Sequence, residues 1–249
     1  MFKKLFWKIF GVKFNGDNFS YDRQAWVKKN LPFTTNDLKL LDVGCGNGWG
    51  LYIAADKGYD ATGLTYDVSQ IKSINQKKII LNKEVTAINL DIANLRDLEP
   101  DSVDVILNFE NIEHIAEDEK MISDMAYLLK KRGLIFFSTP NLFYKFPLLH
   151  EHGPFHLDRK DGGHVRKGYT LEWLERNFKE NNLITLRKGF ISGPASILLL
   201  SISRKIPLML QPIFRLVIIP FTIAANLIDR IFFKKYPHSY SVYFILQKY

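Results

Sequence analysis

The feature that most constrains this chain is the run Leu40-Leu41-Asp42-Val43-Gly44-Cys45-Gly46-Asn47-Gly48. Four residues that read as a buried strand pass straight into three alternating glycines, and Trp49–Lys57 then reads as a helix closed by Gly58. Glycine accepts positive φ and lets a ligand approach the backbone closely, and the N-terminus of the following helix offers unpaired N–H groups. Downstream, the hydrophobic pattern predicts a strand over Ala61–Thr65, a helix over Ser69–Asn82, and strands over Val85–Leu90 and Val103–Asn108. It continues with a helix over Glu117–Lys131 closed by Gly133, a strand over Leu134–Ser138 ended by Pro140, and a helix over Leu171–Glu180. Strands over Ile184–Phe190 and Tyr240–Leu246 complete the pattern. Strands alternating with helices imply an α/β fold, with a mostly parallel sheet covered on both faces.

Length and composition narrow the class. A chain of 249 residues, 47% apolar, suits one large domain or one domain with an elaboration. Cys45 is the only cysteine, so a disulfide framework within the chain is excluded and a cytoplasmic compartment is expected. The net charge of +8 fits an anionic partner. Nucleic acid is disfavoured as that partner, because no Lys/Arg run is interleaved with stacking aromatics. No signal peptide is visible, since the lysines of 1–14 are scattered among the apolar residues rather than placed ahead of them. No segment reaches the roughly 18 uncharged apolar residues of a spanning helix; the longest apolar runs, Phe190–Ser203 and Leu216–Ile228, each contain a proline.

The glycines do not spell a dinucleotide fingerprint. The last position of Gly-x-Gly-x-x-Gly would fall on Trp49 or Leu51, which disfavours an oxidoreductase. Asp42 to Gly48 instead resembles motif I of the class I S-adenosylmethionine (SAM)-dependent methyltransferases, and the resemblance extends over roughly residues 38–190. It implies a Rossmann-like seven-stranded sheet of order 3-2-1-4-5-7-6, the last strand antiparallel. It also implies that Gly44, Cys45, Gly46 and Gly48 lie against the methionine part of SAM, with Asp42 near its ammonium group. The ribose position holds Thr65 in place of the usual acid. That departure is similar to the cyclopropane fatty-acid synthase variant, and makes Thr65 and Gln70 the ribose-side candidates, with Asp67 as an alternative. Asp91 and Ile92 stand where the family meets adenine, and Asn108 completes the implied cofactor-side set. The competing reading makes Asp67, Gln70 and Asp91 simple helix-start residues.

On the acceptor side, Glu110-Asn111-Ile112-Glu113-His114 resembles the ubiquinone- and menaquinone-type branch of the family. In the ubiquinone-type O-methyltransferases this Glu-x-x-Glu-His pattern is associated with a divalent cation, so Glu110, Glu113 and His114 are candidate ligands for an ion such as Mg²⁺. Such an ion would lower the pKa of a bound hydroxyl. Otherwise His114 shapes the pocket and the carboxylates cap a helix. His114 and Glu113 are the candidate catalytic residues, because a hydroxyl acceptor attacks poorly until deprotonated. His150, His152, His156 and His164 share the loop after the fifth strand without any standard zinc spacing. His164-Val165-Arg166 followed by Tyr169-Thr170 resembles the family's lead into the next helix, with His164 at the pocket.

Two regions lie outside the alternation. In the N-terminal segment, 1–30, the residues Phe2, Leu5, Phe6, Ile9 and Phe10 follow helical spacing among Lys3, Lys4, Lys8 and Lys13. The stretch 191–237, inserted between the core at 31–190 and the final strand within 238–249, is apolar nearly all round. Ile197–Leu200, Pro207–Leu210 and Leu216–Phe233 are its candidate helices, flanked by Arg204, Lys205, Arg215, Arg230, Lys234 and Lys235. Both regions suggest interfacial anchors. The expectation is therefore a SAM-dependent methyltransferase at the inner face of a membrane, acting on a small or lipid-linked acceptor. The first alternative is a soluble enzyme for a sugar or small metabolite, with the insertion as a homo-oligomer contact; the second is a non-catalytic SAM-binding protein.

Overall fold

The alternating apolar positions of the strands point to two opposite faces, and helices cover both. In the computed structural model, which describes residues 2–12, 16–146, 155–156, 163–206 and 217–249, the strands are β1 (Lys39–Val43), β2 (Asp60–Thr65), β3 (Thr86–Asn89), β4 (Val103–Phe109), β5 (Leu129–Pro140), β6 (Leu183–Ile191) and β7 (Ser241–Lys248). They form one sheet of order 3-2-1-4-5-7-6. β1 to β5 pair in parallel, and β7 runs antiparallel to both β5 and β6. This is the Rossmann-like arrangement anticipated from the sequence.

Side chains one residue apart go to opposite sides of the pleat. Leu41, Ile106 and Phe137 join one core with Ile122, Met125 and Phe178. Leu40, Val105, Leu107 and Phe136 join the other with Val27, Leu51 and Ile53. The first face is covered by α5 (Asp118–Leu128) and α6 (Leu171–Glu180). The second is covered by α2 (Asn18–Asn30), α3 (Trp49–Asp56) and α4 (Val68–Leu81). α5 ends three residues before the predicted boundary. Leu129 turns to extended backbone and pairs with Val103. The register shift between Val103 and Val105, with Arg132 at φ 65°, takes up the surplus residues.

α1 (Phe2–Phe10) packs on α4 through a residue outside the predicted stripe. Trp7 is buried, with the Lys77 ammonium 5.3 Å from its ring. Leu5 and Ile9, both in the stripe, are exposed instead. Between β6 and β7 lie α7 (Pro194–Ser203) and α8 (Ile219–Phe232); the predicted helix over Pro207–Leu210 lies outside the described residues. Both helices lean on α2. Asp22 of α2, buried, accepts from Ser192 Oγ and Asn226 Nδ2, each at 2.7 Å, and Asn18 Nδ2 donates to the Ser196 carbonyl at 2.7 Å. Asp229 of α8 accepts from the Ala195 and Ser196 amides at 3.0 and 2.9 Å, capping α7. A small third core of Phe19, Tyr144, Phe146, Ile197, Leu200 and Tyr240 joins α2 and α7 above the end of the sheet.

Asp229 is a buried cap, with 7% of its surface exposed. Asp229→Ala should lower the free energy of unfolding by about 2 kcal/mol. In urea denaturation this should appear as a reduced midpoint at unchanged slope.

Candidate active site

The site grows from the turn that follows β1. Gly44, Gly46 and Gly48 adopt φ of 77°, 51° and 80°, the left-handed region that glycine alone enters cheaply. Their surroundings differ. A Cβ on Gly44 would collide with the Asn111 amide, and one on Gly48 would meet Ile74 at 2.7 Å, while one on Gly46 would meet nothing within 4 Å. The turn is therefore packed at both ends and open in the middle, on the side where a ligand could reach the backbone.

Asp42 lies beneath the turn, 5% exposed, with no cation paired to it among the described residues. Burial raises its pKa to about 7. Cys45 is also buried, and burial first, then the nearby Asp42 carboxylate, push its thiol pKa upward. At the end of β2, Thr65 Oγ1 and Gln70 Oε1 are 2.7 Å apart, so the two ribose-side candidates are brought together. Asp67 caps α4, accepting from the Ser69 amide at 2.8 Å, and the Ser69 hydroxyl and amide hold its pKa low. Asp91 likewise accepts from the Ala93 amide at 3.0 Å, starting a 3-10 helix at Ile92. Asn108 is fully buried and donates to the Val43 carbonyl at 3.0 Å. Its amide braces the glycine turn and presents no surface to a ligand.

The end of β4 carries the second half of the site. Glu110 takes φ 48°, a costly conformation for a side chain of its size. It accepts from Ser138 Oγ at 2.8 Å, and its other oxygen lies 3.9 Å from a guanidinium nitrogen of Arg23. Burial would lower the Arg23 pKa, but Glu110, Asp17 and Glu113 outweigh it and hold the guanidinium charged. Glu113 is fully buried, with one oxygen accepting from Thr139 Oγ1 at 3.2 Å. Burial, then the charge of Glu110, raise its pKa well above the usual carboxylate range. Its other oxygen has no hydrogen-bond partner among the described residues and lies 3.9 Å from His114 Nε2. The His114 and His164 rings meet edge to face with centroids 4.6 Å apart. Donor atoms of Glu113, His114 and His164 lie within 4.8 Å of one another.

This trio differs from the candidate set Glu110, Glu113 and His114 named from the sequence. Glu110 turns toward Ser138 and Arg23, and His164 stands beside Glu113 and His114 instead. His164 is carried there by a segment pinned through the Val165 amide on the Glu113 carbonyl at 2.9 Å and through Arg166 on Asp118. His150 and His152 lie outside the described residues, and His156 is exposed. Arg23 and Tyr240 were not anticipated. Burial, then Glu110 and Glu113, raise the Tyr240 hydroxyl pKa well above its ordinary value. The sequence signal available for Arg23 was the lack of an apolar stripe in α2; in the structure its buried residues include Asn18, Asp22, Arg23 and Gln24.

Residues 18–187 match the family model described as a methyltransferase domain. A probable S-adenosylmethionine-dependent methyltransferase of Mycolicibacterium smegmatis is 29% identical over 127 residues, 50% of this chain and 47% of that protein. A ubiquinone biosynthesis O-methyltransferase of Bartonella tribocorum is 35% identical over 166 residues, 63% of each chain. The chain thus spans about half to two thirds of the length of these curated relatives. Among solved structures, a SAM-dependent methyltransferase from Archaeoglobus fulgidus superimposes with a TM-score of 0.60 at 16% identity, covering 100% of both chains. At that identity the likeness concerns the fold.

The packed and open glycines should respond differently to a methyl group. Gly46→Ala should cost about 1 kcal/mol of stability, from the left-handed backbone alone. Gly44→Ala should cost roughly 3 kcal/mol, because it also displaces an amide that holds the Val43 carbonyl. Urea titration of both variants would check the order.

Proposed function

Because the chain belongs to the methyltransferase-domain family, we propose that it transfers the methyl group of SAM to a hydroxyl of a small or lipid-linked acceptor at the inner face of a membrane. The observation that carries the SAM assignment is the open middle of the glycine turn above a buried carboxylate that has no cation of its own. A ligand offering an ammonium group and a slender chain fits both. In this reading Asp42 holds the ammonium, the Gly44–Gly48 turn lies along the methionine part, Thr65 and Gln70 meet the ribose, and Asp91 and Ile92 meet the adenine. When bound, SAM supplies a methyl group on a sulfonium, ready for displacement by a nucleophile.

The chain's own part in the chemistry is positioning and proton removal. An acceptor oxygen that bonds to the methyl carbon must give up its proton as the carbon–sulfur bond breaks. His114 is the base placed to take it, with His164 and Glu113 beside it. The same three side chains suit a divalent cation, which would lower the pKa of the acceptor hydroxyl. Two imidazoles and one carboxylate favour a first-row transition ion over Mg²⁺, which prefers an all-oxygen shell. Relatives named as ubiquinone biosynthesis O-methyltransferases support an oxygen acceptor. Support for a membrane surface comes from the exposed apolar residues of α1 and α8. No helix among the described residues is long and apolar enough to cross a membrane, so the contact would be peripheral.

The pKa of Asp42 makes the SAM assignment testable by pH. A neighbouring ammonium favours the ionised carboxylate, so its pKa falls on binding and a proton leaves when SAM enters below pH 7. Calorimetry should show SAM affinity rising with pH, by up to about tenfold per unit, and levelling above about pH 7. Asp42→Asn should bind SAM more weakly, with a flat profile. A flat wild-type profile would remove Asp42 from the ammonium site.

The base assignment has a separate readout. His114→Ala should reduce turnover of a hydroxyl acceptor by about 100-fold or more, with the SAM dissociation constant unchanged. Single-turnover assays paired with calorimetry would measure both quantities.

A further inference from the structure

A cavity of about 340 Å³ opens between α2, β6 and α8, with no residue in common with the Glu113–His114–His164 cluster. Four exposed cations line it: Lys29, Arg187, Arg230 and Lys234. Arg187 donates to Asn30 Oδ1 at 2.9 Å, and none of the four pairs with a carboxylate among the described residues. Trp26, Phe190 and Tyr243 add aromatic surface. The lining also includes the carboxylates of Asp22 and Asp229, both buried and hydrogen-bonded within the protein. Asp22 accepts from Ser192 and Asn226, and Asp229 from the α7 amides. Four cations against two carboxylates leave the lining net positive.

Beside it, α8 turns Phe221, Leu227, Ile228, Ile231 and Phe232 to solvent, from 42% to 73% exposed. Their spacing places them on one face of the helix, with Arg230 at its margin and Lys234 and Lys235 just past its end. A continuous exposed apolar face of this kind marks an interaction surface. Its occupant can be argued from charge. The only acid of α8 is Asp229, which is buried. A twofold contact between two copies through α8 would bring Arg230, Lys234 and Lys235 of both copies to one interface with no exposed acid on either helix to offset them. An anionic bilayer, apolar within and phosphate-bearing at its surface, is complementary to both features at once.

We propose that the α8 face and the adjoining cavity form one docking surface for a bilayer containing anionic phospholipid. Phe221, Leu227, Ile228, Ile231 and Phe232 enter the boundary between headgroups and acyl chains. A headgroup phosphate sits among Lys29, Arg187, Arg230 and Lys234. The inference rests on the membrane-surface reading above and deepens it, by naming the face that docks and the headgroup chemistry it takes.

Vesicle flotation of the full chain tests the proposal, using phosphatidylcholine alone and phosphatidylcholine mixed with phosphatidylglycerol. The variants are Arg230→Glu with Lys234→Glu, Ile231→Ser with Phe232→Ser, and a deletion of residues 1–14. All four substituted side chains are exposed, and an unchanged SAM titration confirms that each variant is folded. The wild type should float with the anionic vesicles, less so at high salt. Either double substitution should weaken that binding by about tenfold or more. Binding kept by both double variants but lost on deleting 1–14 would overturn the docking face and leave the membrane reading intact. A wild type that floats with neither vesicle would overturn both. Saturable binding of inorganic phosphate without vesicle binding would mark the cavity as a site for a free phosphate, and overturn the bilayer as its occupant.

Discussion

The carbonyl of Val43 ends β1 just where the chain must leave the sheet. Gly44 turns the backbone to positive φ, so no neighbouring strand can take that oxygen. Two amides from the next strand's end do so instead, Asn108 at 3.0 Å and Asn111 at 3.2 Å. A buried carbonyl left without a donor costs the full desolvation of the group, so both amides are held to their task. This contact ties the glycine turn to the end of β4, and through it to Glu110, Glu113 and His114. The proposed donor half and acceptor half of the site are thus parts of one braced corner. The Gly44 amide adds a further tie, donating to the Leu64 carbonyl of β2 at 3.1 Å.

Charge is concentrated behind this corner to an unusual degree. Glu110, Glu113, Arg23 and Tyr240 lie largely out of water, and their pKa shifts come from burial and from one another. A lone buried charge is expensive, whereas a paired one can be retained. Arg23 pairs with the Glu110 carboxylate, while burial and the charge of Glu110 favour the neutral form of Glu113; Arg23 is supplied by α2, outside the alternating core. α2 in turn is held by Asp22 to Ser192 and Asn226. The insertion therefore bears on the site indirectly: α7 and α8 fix α2, and α2 fixes Arg23. Their apolar composition serves two purposes, since Ile197, Leu200 and Ala225 are buried in the protein while the other side of α8 faces outward.

The order of the strands, both glycine boundaries of α3, and the residue that ends β2 were legible in the sequence, while β4 runs one residue past its predicted end, to Phe109. The strand order followed from the motif I resemblance; the rest are consequences of local chemistry: apolar alternation, positive φ at glycine, and capping by Asp67 and Asp91. Thr65 and Gln70 were singled out by the resemblance to the cyclopropane fatty-acid synthase variant; their contact at 2.7 Å is a finding of the structure. The limits of α5 and β5 were not, because the ladder between Val103 and Leu129 overrode a helical pattern that ran on to Lys131.

What the sequence determined by itself was the alternation of strands and helices and the glycine turn, since both depend on patterns within a few residues of one another; the order of the strands followed from the resemblance carried by that turn. The composition of the Glu113–His114–His164 cluster was decided by tertiary structure. Glu110 and His114 have the spacing of partners, yet the left-handed backbone at Glu110 aims its carboxylate at Arg23 and Ser138. His164, fifty residues away in sequence, is delivered by the Val165–Glu113 and Arg166–Asp118 contacts. The outward stripe of α1 was decided in the same way. Trp7 offers more apolar surface to α4 than the smaller residues of the stripe, so the helix rotates to bury it and leaves Leu5 and Ile9 to solvent. Spacing along a chain states which residues share a face; which face is buried depends on the best competing partner, and that partner can come from anywhere in the chain.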